Sequence, residues 1–169
     1  MRFVGACYRA HDPRWAFKPI SGAGAAVHGG RFNPRGTEAL YLALSLIGAV
    51  NEAAQGFAFK LQPMVVCSYD VDIDGIADLR TEAGLKDYGV PADDLACAWF
   101  SVAATGQEPP SWGLFRRLYA DGCSGILVPG FAPGTTERDH NLVLWRWGAT
   151  EVRVYDPSGR LPKDQLSWG

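Results

Sequence analysis

Three side chains that lie close together in the sequence have the chemistry to act on one ligand: Arg31, Tyr41 and Glu52. The arginine presents a planar guanidinium that binds phosphate oxygens in pairs, and the tyrosine ring can stack on a flat cation. The glutamate can stabilise positive charge that develops in a transition state. NAD combines a pyrophosphate, a cationic ring and a bond that becomes positively charged when it breaks. We therefore predict an NAD site at which the nicotinamide–ribose bond is cleaved.

The residues around Arg31 indicate how an anion would be held. Gly29 and Gly30 precede it and Asn33 follows it, and glycines let backbone N–H groups approach an anion closely. We expect Gly30, Arg31 and Asn33 to contact the ligand. Arg9, at the end of the first predicted strand, is a second candidate contact to phosphate or ribose. The alternatives are a turn whose arginine pairs with a surface carboxylate, and a solvated strand end at Arg9.

Glu52 lies among small and apolar residues, and no lysine or arginine is placed three or four residues away to pair with it on a helix. Nicotinamide leaves NAD as a neutral molecule, so the reaction needs no general acid. It needs negative charge beside an oxocarbenium-like sugar, as in glycoside hydrolysis. Glu52 is the candidate for that charge. A solvated Glu52 and a core position for Tyr41 are the alternative interpretations.

Composition limits the class of protein. The chain has 169 residues, of which 47% are hydrophobic and 20% charged, with a formal net charge of -2. This predicts one soluble domain over residues 1–169. The absence of a positive field argues against direct binding to nucleic acid. No signal peptide or membrane-spanning segment is predicted, so we expect a cytoplasmic protein.

Metal and disulfide chemistry are not indicated by the spacing of the relevant residues. The four cysteines are scattered without a CxxC pair, and the three histidines show no metal-ligand spacing. We therefore expect free thiols and no metal.

The glycine-rich segment at Gly22 and Gly24 has Val27 where a dinucleotide fingerprint needs its third glycine. Ser21 and His28 lack an acidic partner, which argues against a nucleophilic pair.

Hydrophobic patterning predicts an α+β fold. The predicted strands are residues 1–10, 38–43, 63–74, 124–131, 141–147 and 150–157. Ser45 is predicted to cap a helix that runs to about Gln55, and Ser111 a helix that stops at Gly122. Residues 78–104 are predicted to be helical with breaks at Gly84, Gly89 and Pro91. Residues 11–36 are predicted to form one extended functional loop, and the C-terminal tail to pack if its apolar side chains (Leu161, Leu166 and Trp168) reach the core.

The chain resembles the RES-domain family, toxins of bacterial toxin–antitoxin pairs. The resemblance lies in Tyr8-Arg9, GAGAAVHGGRFNPRG, ALYLA, Asn51-Glu52-Ala53 and DHNLVLWRW. It implies an ADP-ribosyltransferase-like fold, with a split, twisted mixed or antiparallel sheet and flanking helices. It also implies that NAD is the substrate. Its expected partner is an antitoxin with a DNA-binding helix-turn-helix part, whose tail plugs the entrance of the active site.

The family's arginine and glutamate correspond to Arg31 and Glu52, and Tyr41 and Arg9 join them at the NAD site by the same resemblance. The family's serine position holds Gly130 here, and Phe32 replaces the commoner tryptophan. The missing serine favours a protein acceptor over phosphate or water, unless Ser124 compensates.

The leading functional hypothesis is a toxin that transfers ADP-ribose from NAD to a host protein. Within the enzyme class, the alternative is an NAD glycohydrolase or phosphorylase that depletes NAD. A third hypothesis is a non-catalytic module that binds NAD or a protein partner through the loop of residues 11–36.

Overall fold

The computed structural model describes residues 1–54 and 62–168. In these residues one open, mixed sheet has seven strands in the order β4-β5-β6-β2-β1-β3-β7. All neighbouring pairs are antiparallel except β4 and β5, which are parallel. The strands are β1 (Phe3–His11), β2 (Leu40–Ala43), β3 (Val65–Ile73), β4 (Ile76–Asp78), β5 (Gly125–Pro129), β6 (His140–Leu144) and β7 (Val152–Val154). The α+β class and the mixed sheet are thus confirmed.

The sheet is split between β1 and β2. β1 pairs with β3 along its whole length, from Phe3 opposite Ile73 to His11 opposite Val65. In contrast, the only described register pair between β1 and β2 is Tyr8 opposite Ala43. Since this pair lies at the end of β2, the rest of β2 is not paired with β1, and a cleft opens between the two halves of the sheet.

Buried side chains lie on both faces of the sheet, as strand alternation requires. Tyr41 and Val143 belong to a cluster that the helices cover, together with Leu114 and Phe115. The alternate residues of the same strands enter a second cluster, which also includes residues from both edge strands. Because one cluster draws on both edges, the sheet curves around it.

Six α-helices flank the sheet in the described residues: α1 (Ala23–His28), α2 (Leu46–Ala54), α3 (Glu82–Asp87), α4 (Ala92–Ala96), α5 (Trp99–Ala104) and α6 (Pro110–Ala120). Short 3-10 turns occupy Pro13–Trp15 and Gln165–Trp168. The prediction of one extended loop over residues 11–36 is wrong where α1 forms. The three alanines of α1 are good helix formers, but the helix is only six residues long and is flanked by glycines, so the sequence pattern did not reveal it.

Two helix starts test the predicted caps. Ser45 caps α2 as predicted: its Oγ accepts from the Gly48 backbone N–H at 2.9 Å and donates to Asp139 Oδ1 at 3.0 Å. The predicted end near Gln55 lies outside the described residues. The cap assigned to Ser111 is wrong, because Pro109 is the N-cap of α6 and Ser111 lies inside the helix.

Glycines mark further differences from the predicted elements. Gly75 has a φ of 79°, a left-handed conformation that separates β3 from β4, so the predicted strand 63–74 is followed by a short strand that was missed. Gly84 does not break the helical region but lies within α3.

In the tail, Leu161 packs against the core, whereas Leu166 is 85% exposed. The side chain of Trp168 lies outside the described residues.

Buried polar groups anchor the segment that follows β1. His11 Nε2 lies 2.6 Å from the Tyr69 hydroxyl, which donates to Pro19 O at 2.9 Å. Arg9 Nη1 donates to Pro19 O at 3.2 Å and to Ser21 O at 2.9 Å. Since the tyrosine proton is engaged with Pro19 O, His11 donates to the tyrosine oxygen. This arrangement requires a proton on Nε2 of His11.

We expect acid to destabilise the protein through His11. Burial, and secondarily the charge of Arg9, lowers the pKa of His11 from 6.5 to about 4. Between these values the unfolded chain binds a proton that the folded chain does not, so stability falls by about 1.4 kcal/mol per pH unit as pH drops from 6.5 to 4. Denaturant unfolding at several pH values measures this slope. His11→Gln is expected to reduce it, and the exposed control His28→Gln to leave it unchanged; an equal slope in all three proteins would contradict the assignment.

Candidate functional site

A cleft of about 820 Å³ occupies the split in the sheet. This volume is within the range of small-molecule and cofactor sites. Its walls come from β1, β2, α1, α2, α5, β6 and the segment after β5. Of the predicted site residues, five line it: Arg9, Gly30, Arg31, Tyr41 and Glu52. The geometry therefore brings the predicted cation and carboxylate into one pocket.

Arg31 is fixed in the cleft by main-chain carbonyls. Its Nη1 donates to Leu95 O at 3.2 Å and to Cys97 O at 2.7 Å, and its Cζ lies 4.5 Å from the centre of the Phe131 ring. Burial lowers the pKa of Arg31, opposed by Cys97 and Glu52. Among the described residues it forms no ion pair, so the alternative of a surface pair is not observed. The Nε and Nη2 groups have no hydrogen-bond partner in residues 1–54 and 62–168.

The backbone around Arg31 is held from α6. The Ser111 hydroxyl, fully buried, donates to Arg31 O at 2.5 Å, and Trp112 Nε1 donates to Gly30 O at 2.8 Å. Neither residue was predicted to belong to the site, because the sequence spacing of about 80 residues carries no signal of contact. These two bonds fix the position from which the guanidinium enters the cleft.

Tyr41 supports the same loop from β2. Its hydroxyl accepts from the Phe32 N–H at 3.0 Å and donates to Asn33 Oδ1 at 2.8 Å. Burial is the main cause of a raised pKa at this hydroxyl, which therefore stays protonated. The ring is partly exposed and lines the cleft. Tyr41 is thus anchored at its hydroxyl end and offers only its ring to a ligand.

Glu52 enters the cleft from α2, and its Oε1 accepts from Asn141 Nδ2 at 2.5 Å. Asn141 lies on β6 and also lines the cleft. Within the described part of the chain, no lysine or arginine forms an ion pair with Glu52. The alternative of a merely solvated glutamate does not describe this carboxylate. The segment 139–141 contacts α2 at two points. Asp139 accepts from Ser45 at the start of the helix, and Asn141 donates to Glu52, which lies two helical turns after Ser45.

The RES domain family matches residues 6–164 of the sequence. The chain belongs to the RES domain family. The fold is similar to a chain in the crystal structure of the M. tuberculosis MbcT–MbcA toxin–antitoxin complex, with a TM-score of 0.68 and 23% identity over 92% of this chain and 84% of that chain. At this identity the likeness establishes the fold. No curated protein matches the sequence significantly.

Asn33 of this RES domain does not face the cleft, contrary to its predicted role as a ligand contact. Its side chain is fully buried, and its Nδ2 donates to the carbonyls of Ala25, Pro34 and Thr37. With Oδ1 bonded to Tyr41, the amide is occupied within the loop. Asn33 therefore positions the loop instead of binding a ligand.

The glycines also act differently from the prediction. The Gly29 N–H donates to Ala25 O and the Gly30 N–H to Asn33 O, so these two donors are engaged in the fold. A Cβ at Gly30 would lie 2.5 Å from the Tyr41 hydroxyl and 2.6 Å from Asn33 Oδ1. Glycine is required here so that Tyr41 and Asn33 can approach the backbone.

Arg9 lines the cleft beside the RES-domain loop, and burial lowers its pKa. Its bonds to Pro19 O and Ser21 O show that it is not a solvated strand end. They also show a structural task, because Arg9 ties the approach to α1 onto β1. Contact with a ligand remains a prediction for this residue.

The family serine position has a clear structural setting. A Cβ at Gly130 would point at Thr135 Cγ2, 3.0 Å away, and at Asp139 O, 3.1 Å away. Ser124 stands at the opposite end of β5, where its N–H bonds Gly75 O. It does not line the cleft, so it does not compensate for the missing serine.

The described residues contain no cluster of three or more His, Cys, Asp or Glu side chains suited to a metal ion. Within the same ranges, no helix is both long and apolar enough to cross a bilayer.

If the cleft cleaves NAD as the sequence predicts, loss of the Asn141 amide is expected to reduce catalysis more than binding. In Asn141→Leu, Glu52 loses the donor that orients it, so kcat for nicotinamide release should fall about 10-fold or more while KM for NAD changes little. Asn141→Asp replaces the donor by a second carboxylate that repels Glu52, so kcat should fall at least as far as in Asn141→Leu. Steady-state kinetics measures both variants. An unchanged kcat in Asn141→Asp would contradict the role, and thermal unfolding controls for damage to the fold.

Proposed function

We propose that this RES-domain protein is the toxin of a bacterial toxin–antitoxin pair and that it cleaves the nicotinamide–ribose bond of NAD. The observation that carries the proposal is the common cleft of Arg31 and Glu52, where each side chain is held by hydrogen bonds. A fixed cation suits the pyrophosphate, and a fixed carboxylate suits the sugar that becomes cationic.

The cleavage requires little proton chemistry. Nicotinamide leaves with the electron pair of the glycosidic bond and is neutral, so no acid is needed. Glu52 stabilises the oxocarbenium-like ribose, and its orientation comes from Asn141. Arg31 binds the pyrophosphate through the donors that Leu95 and Cys97 do not occupy. The Tyr41 ring stacks on the nicotinamide, and its hydroxyl takes no part because it is bonded to the loop.

The acceptor of ADP-ribose distinguishes three forms of the enzyme. Transfer to a host protein, to phosphate or to water would make it a transferase, a phosphorylase or a glycohydrolase. Gly130 does not favour a protein acceptor, because a Cβ there would lie 3.0 Å from Thr135 Cγ2 and Gly130 does not line the cleft. The proposal is therefore cleavage of NAD, with the acceptor decided by experiment.

An antitoxin is the proposed protein partner. The similar M. tuberculosis chain was crystallised as part of a toxin–antitoxin complex, which supports a cognate antitoxin for this chain. A helix-turn-helix part in that antitoxin, and action in the cytoplasm on NAD, belong to the same proposal.

Incubation of the purified protein with NAD labelled in its adenylate part tests the function directly. Release of nicotinamide supports the enzyme, and its absence supports a non-catalytic binding module. With cell lysate and phosphate present, a labelled protein band indicates transfer, while free ADP-ribose or its phosphate indicates depletion.

A further inference from the structure

One part of the cleft is not used by the proposed cleavage. Trp99, Phe100 and Phe131, which we call the aromatic cluster, all line it. Trp99 and Phe100 open helix α5 with their ring centres 5.7 Å apart in an edge-on arrangement. Phe131 follows β5 and its ring centre lies 5.9 Å from that of Phe32. Glu52 and Tyr41 already account for the nicotinamide end of the ligand.

Arg31 contacts one ring of this cluster and bonds the segment that leads to the other two. Its Nη1 bonds Cys97 O, two residues before Trp99, and its guanidinium lies 4.5 Å from the Phe131 ring centre. Glu52, in contrast, is held by Asn141 on β6. A pyrophosphate bound at Arg31 therefore has the Phe131 ring beside it, and Trp99 and Phe100 line the same cleft.

The exposure of these rings makes them available to a ligand. Phe100 is 71% exposed, so it contributes little to the core, and Trp99 is partly exposed. Aromatic rings at a cleft wall bind flat heterocycles by stacking and apolar contact, whatever the base. The connectivity of NAD then decides which base is near, because the pyrophosphate joins the nicotinamide half to the adenosine half.

We propose that the aromatic cluster is the subsite for the adenine base, with Phe100 as a specificity-determining residue that favours dinucleotides over mononucleotides. The proposal rests on the proposed function, since it places the other half of the same NAD molecule. It predicts that adenine contributes to binding separately from the chemistry at Glu52.

Phe100→Ala tests the subsite, because so exposed a side chain can be removed without loss of the fold. We expect kcat/KM for NAD to fall about 10-fold, as for loss of one base-stacking ring. The kcat/KM for nicotinamide mononucleotide, which lacks the adenylate, should not change. Phe100→Trp should restore the NAD value. Tyr155→Ala, an equally accessible ring outside the cleft with 66% exposure, is the matched control and should match the wild type.

Calorimetric titration of AMP separates this proposal from the cleavage proposal. AMP lacks the nicotinamide–ribose bond, so its binding is measured without turnover. Phe100→Ala should weaken AMP binding by the same factor of about 10, also in the Glu52→Gln background. An AMP affinity that is unchanged in Phe100→Ala would overturn the subsite. Equal losses of kcat/KM for NAD and for nicotinamide mononucleotide in that variant would also overturn it. Failure of the wild type to release nicotinamide would overturn the cleavage proposal while AMP binding still decides the subsite.

Discussion

Glu52→Gln is expected to lower the rate of nicotinamide release by about 1000-fold, the scale seen when a preorganised electrostatic group is removed from a transition state. The substitution keeps the side-chain shape. Its amide oxygen can still accept from Asn141 Nδ2, so only the negative charge is lost. KM for NAD should change little, since in the proposed mechanism the carboxylate acts on charge that develops during bond cleavage.

Nicotinamide release measured under saturating NAD gives this effect, with Glu38→Gln as a matched control. Glu38 is exposed and does not line the cleft, so its variant should retain the wild-type rate. Expression in bacterial cells extends the test, because Glu52→Gln should be expressed without toxicity. A variant that still releases nicotinamide and still kills would remove Glu52 from the mechanism.

Arg31→Lys is expected to reduce kcat/KM for NAD by about 100-fold through misplacement of the substrate. A lysine keeps the charge but offers a point donor, whereas the guanidinium bonds Leu95 O and Cys97 O on one side and leaves further N–H groups for phosphate. The ammonium would be drawn to those two carbonyls. The pyrophosphate would then lose its paired contact.

Comparison with Arg153→Lys isolates the site effect, because Arg153 lies exposed on β7 outside the cleft. Kinetics with varied NAD should show full activity in this control. Near-wild-type kcat/KM in Arg31→Lys would mean that charge alone suffices and that the fork geometry of Arg31 is not needed. Thermal unfolding of both variants excludes loss of the segment that Arg31 binds.

Local patterns predicted much of the fold because they depend on neighbours in the sequence. Alternation identified β1 and β3, and Ser45 was identified as the cap of α2 from residues within one helical turn. The errors arose where tertiary contacts outweigh local signals. Ser111 has a good cap side chain, yet α6 begins one residue before it, at Pro110, and the Ser111 hydroxyl bonds the distant Arg31 O. The short strand β4 is stabilised by pairing with β5, more than 45 residues away in sequence.

The sequence by itself determined which chemical groups are available: a guanidinium, a carboxylate and a ring within a short run, and a RES-type pattern around them. Tertiary structure decided how they are used. Arg31 is aimed by α4 and α6, Glu52 is oriented by Asn141 from β6, and Asn33 is turned inward to hold Tyr41. The physical reason is that hydrogen bonds and burial depend on which distant segments meet. Here those segments meet where β1 and β2 part.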